Sequence, residues 1–304
     1  MKDEFYSREW NWIEQISASF HVFAASIGSV LKTMAVVFLP ITILLVIIGD
    51  RMMSAYTVFQ QVAEMELTMA NQEQFTATAQ QVMVNYGLML MVSLFLQPVG
   101  IITLSKVAKQ YITEQKVSFR EALAESFSLM PTIITTGILY GVIVFLASLL
   151  LIPGIYLSVA WGFYLCAVGL SGKKGMEALR YSKRLVAGKW FRTFAYLCLL
   201  SIIASLWNSV FQLLYSFLPE GFFSDVVFQF LCSFSSAFVA VAEAILFLNR
   251  EAITVGIIPT EHPGRTIPAA PMEDTAEDSP AESVEGTVEG MPTEGSPEED
   301  KKEE

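Results

Sequence analysis

Residues 27 to 49 read IGSVLKTMAVVFLPITILLVIIG, twenty-three positions with a single charge, Lys32, near the start. At 1.5 Å per residue such a stretch makes a helix of about 34 Å, enough to cross a hydrocarbon core ~30 Å thick. Backbone groups left unpaired in lipid cost several kcal/mol each, so the stretch is expected to cross as a helix. Working outward, five more windows share its character: Val82 to Ser105, Pro131 to Leu151, Ile155 to Leu170, Trp190 to Leu218 and Val226 to Leu248. The fourth is short; extended to Gly172 it spans about 27 Å, which implies little tilt or a thinned bilayer. The other charges within the windows are Arg192, close enough to an end to snorkel like Lys32, and Glu243 near the end of the sixth.

The composition agrees. Hydrophobic residues make up 53% of the 304 and charged residues 16%, against roughly 25% charged in an ordinary soluble domain. The net charge of −11 belongs to the tail: residues 259 to 304 carry 14 acidic and 3 basic side chains, and the remainder carries 16 of each. That tail holds seven of the twelve prolines and no aromatic residue, so it is expected to be disordered. The domain reading is a six-helix membrane domain over residues 1–258 and an acidic, Pro-rich tail over 259–304.

Lys and Arg resist translocation, so their distribution among short loops sets orientation. Lys106, Lys109, Lys116 and Arg120 lie between the second and third windows, and Lys173, Lys174, Arg180, Lys183, Arg184, Lys189 and Arg192 surround the junction of the fourth and fifth. The alternate loops hold only Arg51. This alternation predicts that both termini are cytoplasmic. The start, MKDEFYSREWNW, is not expected to be a cleaved leader, because no small-residue site follows its first apolar run. The segment from Asp50 to Gln81 lacks Gly and Pro, and is expected to continue the first two windows as a helical hairpin.

A spaced pattern of Glu, aliphatic, Ser and aliphatic precedes three windows: Glu14, Ile16, Ser19, Val22; Glu121, Leu123, Ser126, Leu129; and Glu177, Leu179, Ser182, Leu185. Each segment reads as an amphipathic interfacial helix that feeds a transmembrane hairpin, giving three copies of surface helix plus two spans. The expected apolar faces are Trp12, Ile13, Ile16, Phe20 and Phe23; Phe119, Leu123, Phe127 and Met130; and Leu179, Tyr181, Leu185 and Val186. On the third helix Arg180, Lys183 and Arg184 oppose the apolar face. With Lys173 and Lys174 they form the candidate contact for anionic lipid head groups or an acidic partner; the plainer reading is a topology signal.

Gln97, Asn208 and Glu243 are the candidate intramembrane polar site, with interhelical hydrogen bonding the alternative for the two amides. Gly137 and Gly141 form a GxxxG, read as a close-packing motif. Cys166, Cys198 and Cys232 lie in apolar runs without short spacing, and read as packing residues. No Walker loop, HExxH, GxSxG elbow or GxGxxG after a strand is present, and His21 and His262 do not form a metal pair. No catalytic residue, metal or cofactor is expected.

Ile152-Pro153-Gly154-Ile155-Tyr156, followed by Glu177-Ala178-Leu179, Ser182, Leu185, Gly188 and Trp190, resembles the membrane domain of bacterial YciC-like proteins that is also fused to some glycerophosphodiester phosphodiesterases. The resemblance covers residues from about 10 to 250 and implies six spans in a bacterial cytoplasmic membrane. It carries over no catalytic residue, because the fused enzymes hydrolyse in a separate barrel. The expectation is an all-α polytopic membrane bundle, non-enzymatic, that acts as a lipid-interacting or scaffolding component of the bacterial inner membrane. Membrane lipids are its expected partners, nucleic acid is not, and a protein partner is left open. A transporter or permease for an amphiphilic small molecule is the alternative.

Overall fold

Helices joined by short turns make up the computed structural model, which describes residues 9–64, 69–114 and 118–254. The acidic tail lies outside the described residues. In chain order the elements are α1 (Trp12–Ala25), α2 (Ile27–Thr33), a π-helical turn (Met34–Phe38), α3 (Leu39–Ala63), α4 (Met69–Phe95), α5 (Gln97–Glu114), α6 (Phe119–Ser128), α7 (Met130–Ser148), α8 (Leu151–Ala160), α9 (Tyr164–Ser171), α10 (Gly175–Val186), α11 (Trp190–Tyr215) and α12 (Phe222–Thr254). No strand occurs among the described residues. Six stretches are long and apolar enough to cross a membrane: Ile27–Ala63, Asn71–Thr113, Met130–Ser148, Leu151–Ser171, Trp190–Tyr215 and Phe222–Thr254.

Prolines mark irregularities that a hydropathy window averages away. Pro40 has no N–H to give to the carbonyl four residues back, and its ring would crowd that turn. The preceding turn widens accordingly, with the Leu39 N–H reaching the Met34 carbonyl. Pro98 likewise lacks the N–H, and there the second window divides at a turn on Leu96 into α4 and α5 rather than running on as one helix. The fourth window is also discontinuous: Trp161, Gly162 and Phe163 form a turn between α8 and α9. There Ser182 of α10 substitutes for the missing helical bonds. Its hydroxyl donates to the Ala160 carbonyl at 2.9 Å and accepts the Phe163 N–H at 3.2 Å.

The three surface helices α1, α6 and α10 occupy the expected positions, and each precedes an outer and an inner span. The inner spans α5, α9 and α12 gather at the centre, where α5 packs on both α9 and α12. Each surface helix lies against the inner span of the preceding copy: α6 on α5, α10 on α9, and α1 back on α12, which closes a ring. Two thirds of the apolar window of α12 is buried, against 6% for α11 on the periphery. Gly169 of α9 allows a close approach in this core; a Cβ there would stand 2.6 Å from Ile102 Cγ2 of α5.

The bundle-facing sides of α1 and α6 are built largely from small and polar residues. Gln15, Ser19 and Val22 of α1 and Ala122 and Ser126 of α6 face the bundle, with Ile13 left 77% exposed and Phe127 49% exposed. Phe20 and Phe23 still reach the aromatic group of Trp207, Phe234 and Phe238. Ser19, Ser126 and Ser182, the repeated serines, are all fully buried. The third surface helix, α10, buries its apolar face through Leu179, Leu185 and Val186.

Candidate functional site

The α9–α10 corner builds the basic surface. Gly172 at φ 67° ends α9 in the left-handed conformation, which returns the Lys173 N–H to the Ala167 carbonyl at 3.1 Å. The Gly175 N–H is held by Thr136 Oγ1 at 2.9 Å. These contacts fix the start of α10 while Ala178, Leu179, Ser182, Leu185 and Val186 seal its inner face. Lys174, Arg180, Lys183 and Arg184 are left exposed. Lys173 pairs with Glu177 at 2.6 Å, and both Lys173 and Arg184 lie over the Tyr181 ring, 5.8 and 5.7 Å from its centre. Arg180 and Lys183 make no ion pair among the described residues. The corner is clamped from two sides, by Lys109 Nζ on the Leu170 carbonyl at 2.8 Å and by Glu251, which accepts from Ser171 and from Tyr181 at 2.6 Å. Burial and that bond to Glu251 push the Tyr181 hydroxyl well above its ordinary pKa.

A second cationic group lies where α11 begins. Glu9 pairs with Lys189, with Arg192 Nη1 at 2.7 Å and with Arg250 Nη1 at 3.1 Å, while Arg192 Nη2 also donates to the Trp10 carbonyl at 2.8 Å. One carboxylate thus faces three cations. Burial opposes the Glu9 charge, but the Lys189 hydrogen bond and the charges of Arg250, Lys189 and Arg192 outweigh it and hold the carboxyl below its ordinary value. Burial also lowers Lys189, assisted by Arg250 and Arg192. No local pattern marks this junction, because Glu9 is distant in the chain from its partners. A depressed carboxyl stabilises the fold above its unfolded pKa of 4.5 and loses that contribution as pH falls through the lower folded value. Thermal unfolding in detergent is therefore expected to show wild type above Glu9→Gln at neutral pH, with the two converging as the pH drops below about 4.

Gln97, Asn208 and Glu243 do not converge. Asn208 Oδ1 accepts from Ser235 Oγ at 2.7 Å, which makes it a link between α11 and α12. Ser235 lies eight residues from Glu243 along α12, about 12 Å. Gln97 is eight residues from Ser105, which neighbours Cys166 in the Glu243 layer. Glu243 lies within electrostatic reach of Tyr140, Cys166 and Tyr196, of which only Cys166 stood out in the sequence. The GxxxG of α7 is not a close-packing surface. A Cβ on Gly141 would meet nothing within 4 Å, and one on Gly137 only the Tyr164 hydroxyl at 3.8 Å.

Two cavities lie at opposite ends of the bundle. One of about 240 Å³ is lined by Lys106, Lys109, Gln110 and Glu125, beside the basic corner. The other, about 330 Å³, is lined by Asp50, Tyr215 and Asp225, with the Tyr215 hydroxyl donating to Asp225 at 2.5 Å. Among the described residues no three His, Cys, Asp or Glu side chains are grouped to hold a metal ion. Compared with family models, curated proteins and solved structures, the chain matches none.

Proposed function

We propose that this membrane protein is a non-catalytic, lipid-interacting component that presents the α10 face to anionic head groups at the cytoplasmic leaflet. The supporting observation is the clean division of α10. Its inner face is sealed in the bundle, and Lys174, Arg180, Lys183 and Arg184 are held outward on a helix anchored at its start and along its buried side. Near an anionic leaflet each such residue contributes about 1 kcal/mol of attraction. The Glu9 junction adds to the same tendency, since three cations there share one carboxylate. The loop charges support a cytoplasmic side for this face and both termini, and the resemblance to the YciC-like membrane domain supports a bacterial inner membrane.

Native mass spectrometry of detergent-purified protein tests the reading. Wild type is expected to retain phosphatidylglycerol or cardiolipin in preference to phosphatidylcholine. A folded variant neutralised at Lys173, Lys174, Arg180, Lys183 and Arg184 is expected to lose that preference. Equal, unselective retention by both forms would reduce these charges to topology signals.

A further inference from the structure

We propose that the cavity bordered by α5, α6 and the end of α9 binds a single phosphate group, carried by a lipid head group or by a free phosphate ester. Lys106, Lys109, Gln110 and Thr113 line it from α5, at the i, i+3, i+4 and i+7 spacing that puts four side chains on one helix face. Glu125 of α6 and the last turn of α9 complete the wall. At about 240 Å³ the space falls below the roughly 300–1,000 Å³ of pockets that enclose drug-sized molecules. A compact polar group suits it better.

The charges of the lining select an anion. Lys109 Nζ meets no carboxylate among the described residues, and its bond goes to the neutral Leu170 carbonyl at 2.8 Å. Lys106 pairs with Glu125, but the lysine side chain is 13% exposed and the carboxylate 62%. Water screens such a pair, so an entering anion loses little by displacing Glu125. Glu251, which clamps the same corner through Ser171 and Tyr181, does not line the cavity. Two lysines against one glutamate leave the described lining with a net positive charge.

The hydrogen-bond inventory points the same way. An ammonium has three N–H groups, so each lysine keeps two beyond the bond it already makes. Gln110 uses its amide oxygen to accept the Ser118 N–H at 3.1 Å, which leaves its two amide N–H groups without a partner among the described residues. The Thr113 proton is already given to the Lys109 carbonyl at 2.8 Å. A phosphate ester brings negative charge and acceptor oxygens, and lysine binds it as a point charge through charge-assisted hydrogen bonds. The exposed cations of α10 do not line this cavity, so the site does not rest on the reading proposed for that face.

Acylation by an amine-reactive ester, mapped by peptide mass spectrometry on the full chain in dodecyl maltoside, gives the test. Dihexanoylphosphatidylglycerol or glycerol 3-phosphate, at about ten times its dissociation constant, is expected to slow acylation of Lys106 and Lys109 by roughly tenfold. Dihexanoylglycerol, which lacks phosphate, is expected to be inert. Protection by the lipid alone identifies a head group, and equal protection by glycerol 3-phosphate identifies a free phosphate ester. A folded Lys109→Gln variant, which drops the charge and keeps a donor, is expected to lose the protection at Lys106. The variant neutralised at Lys173, Lys174, Arg180, Lys183 and Arg184 is expected to keep it. The site is overturned if neither phosphate compound protects the two lysines, or if dihexanoylglycerol protects them equally. Full protection in Lys109→Gln, or its loss in the α10 variant, would overturn it as well.

Discussion

Replacing Gly169 by valine is expected to lower the stability of the folded protein by about 1–3 kcal/mol, the usual cost of forcing extra atoms into a packed core. The first added carbon would stand 2.6 Å from Ile102 Cγ2 and 3.2 Å from Cγ1. Ile102 cannot retreat easily, because it is fully buried and branched at Cβ. The strain falls where α5 and α9, two of the three inner spans, come closest. Thermal unfolding followed by loss of monodispersity in detergent measures it. The double variant Gly169→Val with Ile102→Ala is expected to recover part of the loss, whereas Gly141→Val, set in open space on α7, is expected to be nearly neutral.

Ser182→Ala is expected to cost about 1–3 kcal/mol, the penalty for leaving a buried polar group without a partner. At the break between α8 and α9 it removes the only side chain that serves both the Ala160 carbonyl and the Phe163 N–H. The other two repeated serines provide the controls. Ser19 and Ser126 donate to carbonyls of their own helices, Gln15 at 2.6 Å and Ala122 at 2.7 Å, which remain bonded within the helix when the hydroxyl is lost. Ser19→Ala and Ser126→Ala should therefore cost little. Three similar losses would mean that the break does not depend on Ser182.

These two positions show where sequence reading reached and where it stopped. The spans were legible because a long apolar run has few alternatives in lipid, whatever its neighbours. The breaks at Leu96 and near Gly162 were not, since an averaged window hides one proline or one turn. The surface helices were legible in place, but which residues of α1 and α6 turn toward the bundle was not. Apolar side chains such as Ile13 and Phe127 have no need to point into the protein when the surroundings are lipid. The small and polar Ser19 and Ser126 pack inward instead.

The site divides in the same manner. The α10 cations could be found from charge and helical period alone. Glu243 was conspicuous as a carboxylate in an apolar run, but nothing local marked Tyr140 or Tyr196 as lying within reach of its charge. Gln97 and Asn208 share its polarity without sharing its location. The Glu9 junction depends on residues about 180 and 240 positions apart in sequence.

The presentation of the α10 face on the same side as the termini is tested most directly by labelling with a membrane-impermeant maleimide. Single cysteines would be placed at Lys183, Tyr56 and Ser279 after Cys166, Cys198 and Cys232 are replaced by alanine. Lys183→Cys and Ser279→Cys are expected to react in inverted vesicles and not in right-side-out ones, and Tyr56→Cys in the opposite set. Reaction of Lys183→Cys in the same vesicles as Tyr56→Cys would place the basic face on the other side and contradict the lipid reading built on it.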